Sequence, residues 1–157
     1  MKLHWSPKSP FVRKVMVVIH ERGLYDKIER IRSVASMTVP NDALGADNPL
    51  GKIPTLILDD GTPLYDSPVI CEYLNDKGGG KFFPADTIWK AASGRWKALG
   101  LAALGDGIAD ATVLISHDRR KPAPAQEPPE WYTRQWLKIK RGIQTMSDDL
   151  GDRNFCF

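Results

Sequence analysis

From Pro10 onward, apolar side chains recur at near-helical spacing: Phe11, Val12, Val15, Met16, Val18 and Ile19. Ser9 is a preferred N-cap residue, and Pro10 falls at the first helical position, where its missing N–H costs nothing. Gly23 is placed to stop this helix. Lys2 to Trp5, just before it, reads as a short first strand, and Lys27 to Ile31 as a weaker second one. Ser33 to Asn48 is mixed and polar, with room for one short helix around Asn41 to Ala46. The run Ile53 to Leu58 is a buried strand, Asp59-Asp60-Gly61 a turn, and Pro63 to Tyr65 a returning strand. Asp66-Ser67-Pro68 repeats the cap-plus-proline helix start, with Ser67 as the cap and Val69, Ile70, Tyr73 and Leu74 as the apolar stripe. Lys77-Gly78-Gly79-Gly80 ends it. Strand, helix, strand, short helix, hairpin and closing helix is the outline of a thioredoxin-like α/β domain over residues 1–80.

The pattern changes beyond a linker at 81–86. Thr87 to Ser116 is rich in Ala, Leu and Trp and reads as one long helix, bent near Gly105-Asp106-Gly107, with Trp96, Leu99, Ala103, Ile108, Ala111 and Leu114 on its core face. Lys121 to Pro129 holds four prolines and is a loop. Trp131 to Leu150 is a second helix, with Trp131, Trp136, Ile139, Ile143 and Met146 apolar. Residues 87–157 are therefore expected to be the first helices of an all-α domain. Two helices bury little by themselves, and the apolar end Asn154-Phe155-Cys156-Phe157 implies that further helices or a partner cover them.

Composition narrows the function classes. Of 157 residues, 42% are hydrophobic and 26% charged, as in a globular protein. The 22 Lys and Arg against 19 Asp and Glu leave only +3, and the densest basic run is Arg119-Arg120-Lys121, read as a solvated helix end. No basic stripe points to nucleic acid. Cys71 and Cys156 form no CxxC pair, and His4, His20 and His117 do not cluster, so neither a dithiol redox centre nor a metal site is expected. Cys71 is read as a small buried hydrophobe. The N-terminal region has no signal-peptide pattern, and Val15 to Ile19 is too short to span a bilayer, so a cytoplasmic location without a membrane partner is the expectation.

The chemistry-bearing residues sit in three turns. Ser9 and Ser67 stand at helix starts, where the N-terminal dipole stabilises anions, although each is also a plain cap by local sequence. Ser6 shares the first turn and is the rival hydroxyl. Between them, in Asn48-Pro49-Leu50-Gly51-Lys52-Ile53-Pro54, Pro54 withholds an N–H and leaves the Ile53 backbone free to pair with an extended peptide. The Ile53–Pro54 bond is a candidate for the cis isomer. Two helix N-termini and one free strand edge suit a short extended peptide carrying two separate negative groups.

Taken in order, SPKSPFVRKV, NPLGKIPTL and DGTPLYDSPVICEYL resemble the N-terminal domain of glutathione S-transferases of the bacterial, serine-using branch; LGDGIADA continues the likeness into the helical part. The resemblance implies that the ligand is glutathione. It places Ser9 at the thiol sulfur, Ile53 before Pro54 against the cysteinyl main chain, and Asp66 and Ser67 at the γ-glutamyl group. More weakly, it places Lys52 at the glycyl carboxylate and Asp106 at the γ-glutamyl group of a neighbouring subunit. It also implies a homodimer that conjugates glutathione to a small apolar electrophile. The family more often has Glu where this chain has Asp66, Trp5 is bulky beside the thiol, and the family's later helices have no counterpart here. A non-catalytic glutathione-transferase-like binding or assembly module is the alternative, and a glutaredoxin-like reductase is disfavoured because residue 9 is not cysteine.

Overall fold

The computed structural model describes residues 1–80, 82 and 94–154. It comprises two compact units, Met1–Phe82 and Phe83–Phe157. In the first, β1 (Lys2–Trp5), α1 (Pro10–Glu21), β2 (Glu29–Arg32), α2 (Asp42–Asp47), β3 (Thr55–Ile57), β4 (Pro63–Leu64) and α3 (Ser67–Lys77) follow one another. The sheet order is β2-β1-β3-β4; β1 and β2 are parallel, and the other pairs antiparallel. This is the thioredoxin-like mixed sheet.

Local chemistry explains α1. Ser9 Oγ accepts the Val12 N–H at 3.2 Å, and Val12, Val15 and Ile19 face inward one turn apart. Past the last turn, Gly23 takes φ 63°, its N–H bonding His20 O at 3.0 Å while the Leu24 N–H bonds Ile19 O at 2.9 Å. That double bond is a Schellman stop, which favours glycine. α1 packs on α3, and Leu3, Val15, Ile19, Leu24, Leu56, Ile70 and Leu74 form the core between these helices and the sheet. Side chains alternate along a strand, so Leu3 enters this core while His4 points to the opposite face. There Leu44 of α2 is fully buried, and Asp47, the last residue of α2, reaches the His4 ring.

Several sequence expectations shift here. β2 lies at Glu29–Arg32 rather than Lys27–Ile31, because Tyr25–Lys27 winds into a 3-10 turn. β3 is confined to Thr55–Ile57, the stretch that β1 and β4 pair with. Val69 is not on the inner stripe of α3 but 48% exposed; Ile70, Cys71 and Leu74 are buried instead. Arg22 closes this unit: its guanidinium lies over the Phe82 ring (3.7 Å to the centroid) and donates to the Gly80 carbonyl oxygen.

The second unit pairs α4 (Arg95–Asp118) with α5 (Pro129–Leu150) across a proline-rich loop that holds a 3-10 turn at Ala123–Ala125. Residues 83–93, where the start of the first long helix was expected, lie outside the described residues, as do Phe155–Phe157. The helix runs unbroken through Gly105 and Gly107 to Asp118. The pair is antiparallel: Lys97 Nζ meets Asp149 Oδ1 at 2.8 Å, Ala111 and Ile115 pack on Ile139, and Tyr132 reaches Asp118. Trp96 and Leu114, expected on the core face of α4, are half-exposed or more, as are the apolar Trp136 and Ile143 of α5. Two helices share one stripe, and these residues lie off it. By length and composition alone α4 is apolar enough to cross a membrane, a test that core helices also pass.

Asp118 ends α4 as a buried carboxylate. It pairs with Lys121 Nζ at 2.7 Å and accepts the Tyr132 hydroxyl and, at 2.9 Å, the Glu127 N–H. The Lys121 ammonium first, then the Tyr132 hydroxyl and the Glu127 N–H, hold its carboxyl down to about 2. The same carboxylate raises the Lys121 and Tyr132 values. Lys121 is thus not only a solvated charge at a helix end: it ties the loop to α4.

Candidate functional site

The register brings the three turns to one end of the sheet. β1 runs toward Trp5 and delivers Ser6 and Ser9 at its C-terminal end. β3 is antiparallel to β1 and pairs Thr55 with His4, so Ile53 and Pro54 precede it at that same end. β4 runs back along β3, Leu64 opposite Leu56, and hands the chain to Asp66 and Ser67, again at that end. Lys52, Ile53, Pro54, Asp66, Ser67 and Ser9 are thereby assembled from separate stretches by strand direction alone.

In the first turn the two serines differ. Ser6 is 7% exposed, and its hydroxyl oxygen accepts from Arg32 Nη1 at 2.8 Å. Ser9 is half-buried; its oxygen accepts the Val12 N–H, which leaves the hydroxyl proton available to donate at the positive end of α1. Arg32 also lies over the Trp5 ring, 5.5 Å from its centroid, so the bulky Trp5 is packed beneath a cation.

The second turn is held from inside. The Ile53–Pro54 bond is cis, the isomer the X–Pro position anticipates. Asn48, 1% exposed, donates from Nδ2 to Lys52 O (3.2 Å) and Thr55 Oγ1 (2.9 Å) and accepts the Leu50 N–H at Oδ1 (3.0 Å). Thr55 Oγ1 donates in turn to Lys52 O at 2.8 Å. The Lys52 side chain is exposed, Ile53 half-buried and Pro54 buried. Ile53 lies outside the ladder, whose register on β1 begins at Thr55.

In the third turn the cap is displaced by one residue from the sequence expectation. Asp66 is the N-cap, without a side-chain capping bond, and Ser67 is the first helical residue, with Pro68 following. The Asp66 carboxylate is exposed and Ser67 is 2% exposed. The Tyr65–Asp66 peptide bond is also cis. Asp106 lies half-buried in α4, in the second unit.

Sequence reasoning missed the polar residues behind the turns. His4, read as one of three unclustered histidines, is 2% exposed and holds Ser33 Oγ and Asp47 Oδ2, each at 2.7 Å. Asn48 and Thr55 were legible only as a proline-turn residue and a strand residue. Among the described residues no group of three or more His, Cys, Asp or Glu is arranged to hold a metal ion.

Comparison with known proteins identifies the family. The family described as Glutathione S-transferase, N-terminal domain, matches residues 8–77. An uncharacterized GST-like protein of Escherichia coli strain K12, YibF, is 31% identical over 97% of this chain and 71% of its own length. The chain belongs to the glutathione S-transferase family. A glutathione transferase family member from Pseudomonas fluorescens Pf-5, crystallised with bound glutathione, is similar at 42% identity and TM-score 0.85, over 94% of this chain and 70% of the other. A glutathione S-transferase from Methylobacillus flagellatus KT, also with glutathione bound, is similar at 35% identity and TM-score 0.82, over 99% and 72%.

Proposed function

We propose that this protein binds glutathione along the end of its sheet and activates the thiol at Ser9 for conjugation to a small apolar electrophile. The observation that carries the reading is the convergence of three turns at one sheet end, with the Ser9 oxygen occupied by the Val12 N–H and its proton free to donate. That hydroxyl donates to the glutathione sulfur, and the α1 dipole adds to it, so the thiol falls below its free value of about 8.5. A fall of two units corresponds to roughly 2.7 kcal/mol of preference for the thiolate. The sulfur lone pair then forms the new S–C bond, and the electrons displaced from carbon leave with the departing group or take up a proton.

The remaining roles follow the peptide. The Ile53 main chain pairs with the cysteinyl unit, Asp66 takes the γ-glutamyl amine, and Ser67 its carboxylate at the N-terminus of α3. Lys52 faces the glycyl carboxylate, and in a homodimer Asp106 of one protomer assists the γ-glutamyl group of its partner. A cytoplasmic setting, where glutathione is reduced and abundant, suits this activity.

Isothermal titration with glutathione and a conjugation assay on Ser9→Ala test the proposal. Glutathione binding that survives in Ser9→Ala, with turnover reduced about 10-fold or more, is expected. Turnover indifferent to Ser9 overturns the mechanism.

A second reading has its own support. Trp96, Leu114, Trp136, Leu137 and Ile143 form an exposed apolar set on α4 and α5, which suits a glutathione-transferase-like module that assembles with another protein instead of catalysing. No measurable glutathione binding, beside a stable complex, would select it.

A further inference from the structure

The segment that carries Lys52 and Ile53 begins far from β1 in sequence, yet one buried side chain of β1 holds it. The His4 ring bonds Ser33, just past β2, through Nδ1, and Asp47, the end of α2, through Nε2, each at 2.7 Å. Ser33 and Asp47 are the two ends of the lobe that contains α2, so a single imidazole closes that lobe at both ends. An open cleft of about 500 Å³, lined by Val34, Ser36, Asn41, Gly45 and Leu50 among others, lies along it.

From Asp47 the constraint passes to the next residue. Asn48 caps α2 through its N–H to Leu44 O (2.8 Å) and fixes Lys52 O and Thr55 with its side chain. Thr55 is also the direct cross-strand neighbour of His4. The Lys52–Ile53 backbone is therefore referred back to His4 by two routes, one through α2 and one through β3. Ser33 adapts to the proton count of the ring. Its one hydroxyl proton goes to Nδ1 when the imidazole is neutral, or to Ile31 O (3.3 Å) when Nδ1 itself donates. In either state Nε2–H remains directed at Asp47.

We propose that His4 is a positioning residue that latches α2 through Asp47 and so sets the Lys52–Ile53 backbone for glutathione. This rests on the glutathione reading above. The latch acts on ground-state binding of the peptide, not on the sulfur, so its loss separates KM from kcat.

The test compares His4→Phe, Asp47→Ala and their double variant by conjugation kinetics and by amide hydrogen exchange of the unliganded protein. Asp47 is 41% exposed at its side chain, so Asp47→Ala leaves a folded variant if His4→Phe does not. Each single change should raise KM for glutathione about 10-fold, equivalent to about 1.4 kcal/mol, with kcat within about twofold. The double variant should be no worse than the singles, and Asp47→Asn, whose amide oxygen still accepts from Nε2–H, should restore most of the affinity. Exchange should accelerate over residues 34–52 while α1 stays protected. An unchanged KM, additive losses, or equal acceleration in α1 overturns the proposal. If the native protein binds no glutathione, the previous reading falls, and the exchange pattern alone then upholds or overturns the latch.

Discussion

Gly142 of α5 faces Ile108 of α4 so closely that a Cβ added at residue 142 would lie 2.7 Å from Ile108 Cγ1. Cγ1 sits next to the branched Cβ and cannot swing away cheaply. Gly142→Ala gains about 1 kcal/mol of helix propensity but overpacks the helix interface at a cost of about 1–3 kcal/mol. A net loss of stability in the second unit is expected, measurable by urea denaturation. Ile108→Ala in the same chain makes room, so the double variant should lose less than the sum of the two single changes.

Ser9 serves two roles that different substitutions separate. Ser9→Ala removes the N-cap and should lower stability by about 1 kcal/mol. Ser9→Asp keeps a capping oxygen for the Val12 N–H and a negative charge that the helix dipole favours, so its melting temperature should stay near the native one. A carboxylate has no proton to offer a thiolate and repels it. Conjugation by Ser9→Asp should therefore fall at least as far as in Ser9→Ala; retained turnover would show that Ser9 is only a cap.

The second turn depends on Thr55. Its hydroxyl accepts from Asn48 and donates to Lys52 O, both inside the protein. Thr55→Val conserves shape and removes both bonds, which should cost about 1–3 kcal/mol in chemical denaturation. Thr55→Ser should keep most of that.

Acid should loosen the second unit through Asp118. Its folded value of about 2 lies below the usual carboxylate value of about 3.9. The unfolded chain thus binds the proton first, and stability present above about pH 4 is lost as pH falls toward 2. Asp118→Asn accepts the Tyr132 hydroxyl but carries no charge, and should flatten the acid limb of a circular-dichroism titration over that window. A slope unchanged in the variant would assign the limb to other carboxylates.

What could be read in advance was whatever local chemistry decides. Ser9 before Pro10, Gly23 past the helix and Pro54 before a strand each act within a few residues, and each takes the predicted place. The third turn moved by one residue because Asp and Ser are both good caps, and local sequence does not choose between them. The face of α4 was misjudged at Trp96 and Leu114, since apolar content exceeds what one helix pair can bury. His4 could not be found. Its partners, Ser33 and Asp47, meet it only after β2 and α2 are placed, and no short-range pattern marks such a pair.

The sheet that gathers the three turns also has an idle end. The Asp59–Gly61 turn of the β3–β4 hairpin is exposed and lies beyond Ile57, which pairs with Lys2 at the start of β1. Whatever is attached there, a fluorophore, a peptide tag or a solid support, is held a full strand's length from Ser9. The hairpin tip is thus a natural handle, by which the protein can be fixed to a surface with the Ser9 end of the sheet turned toward solution.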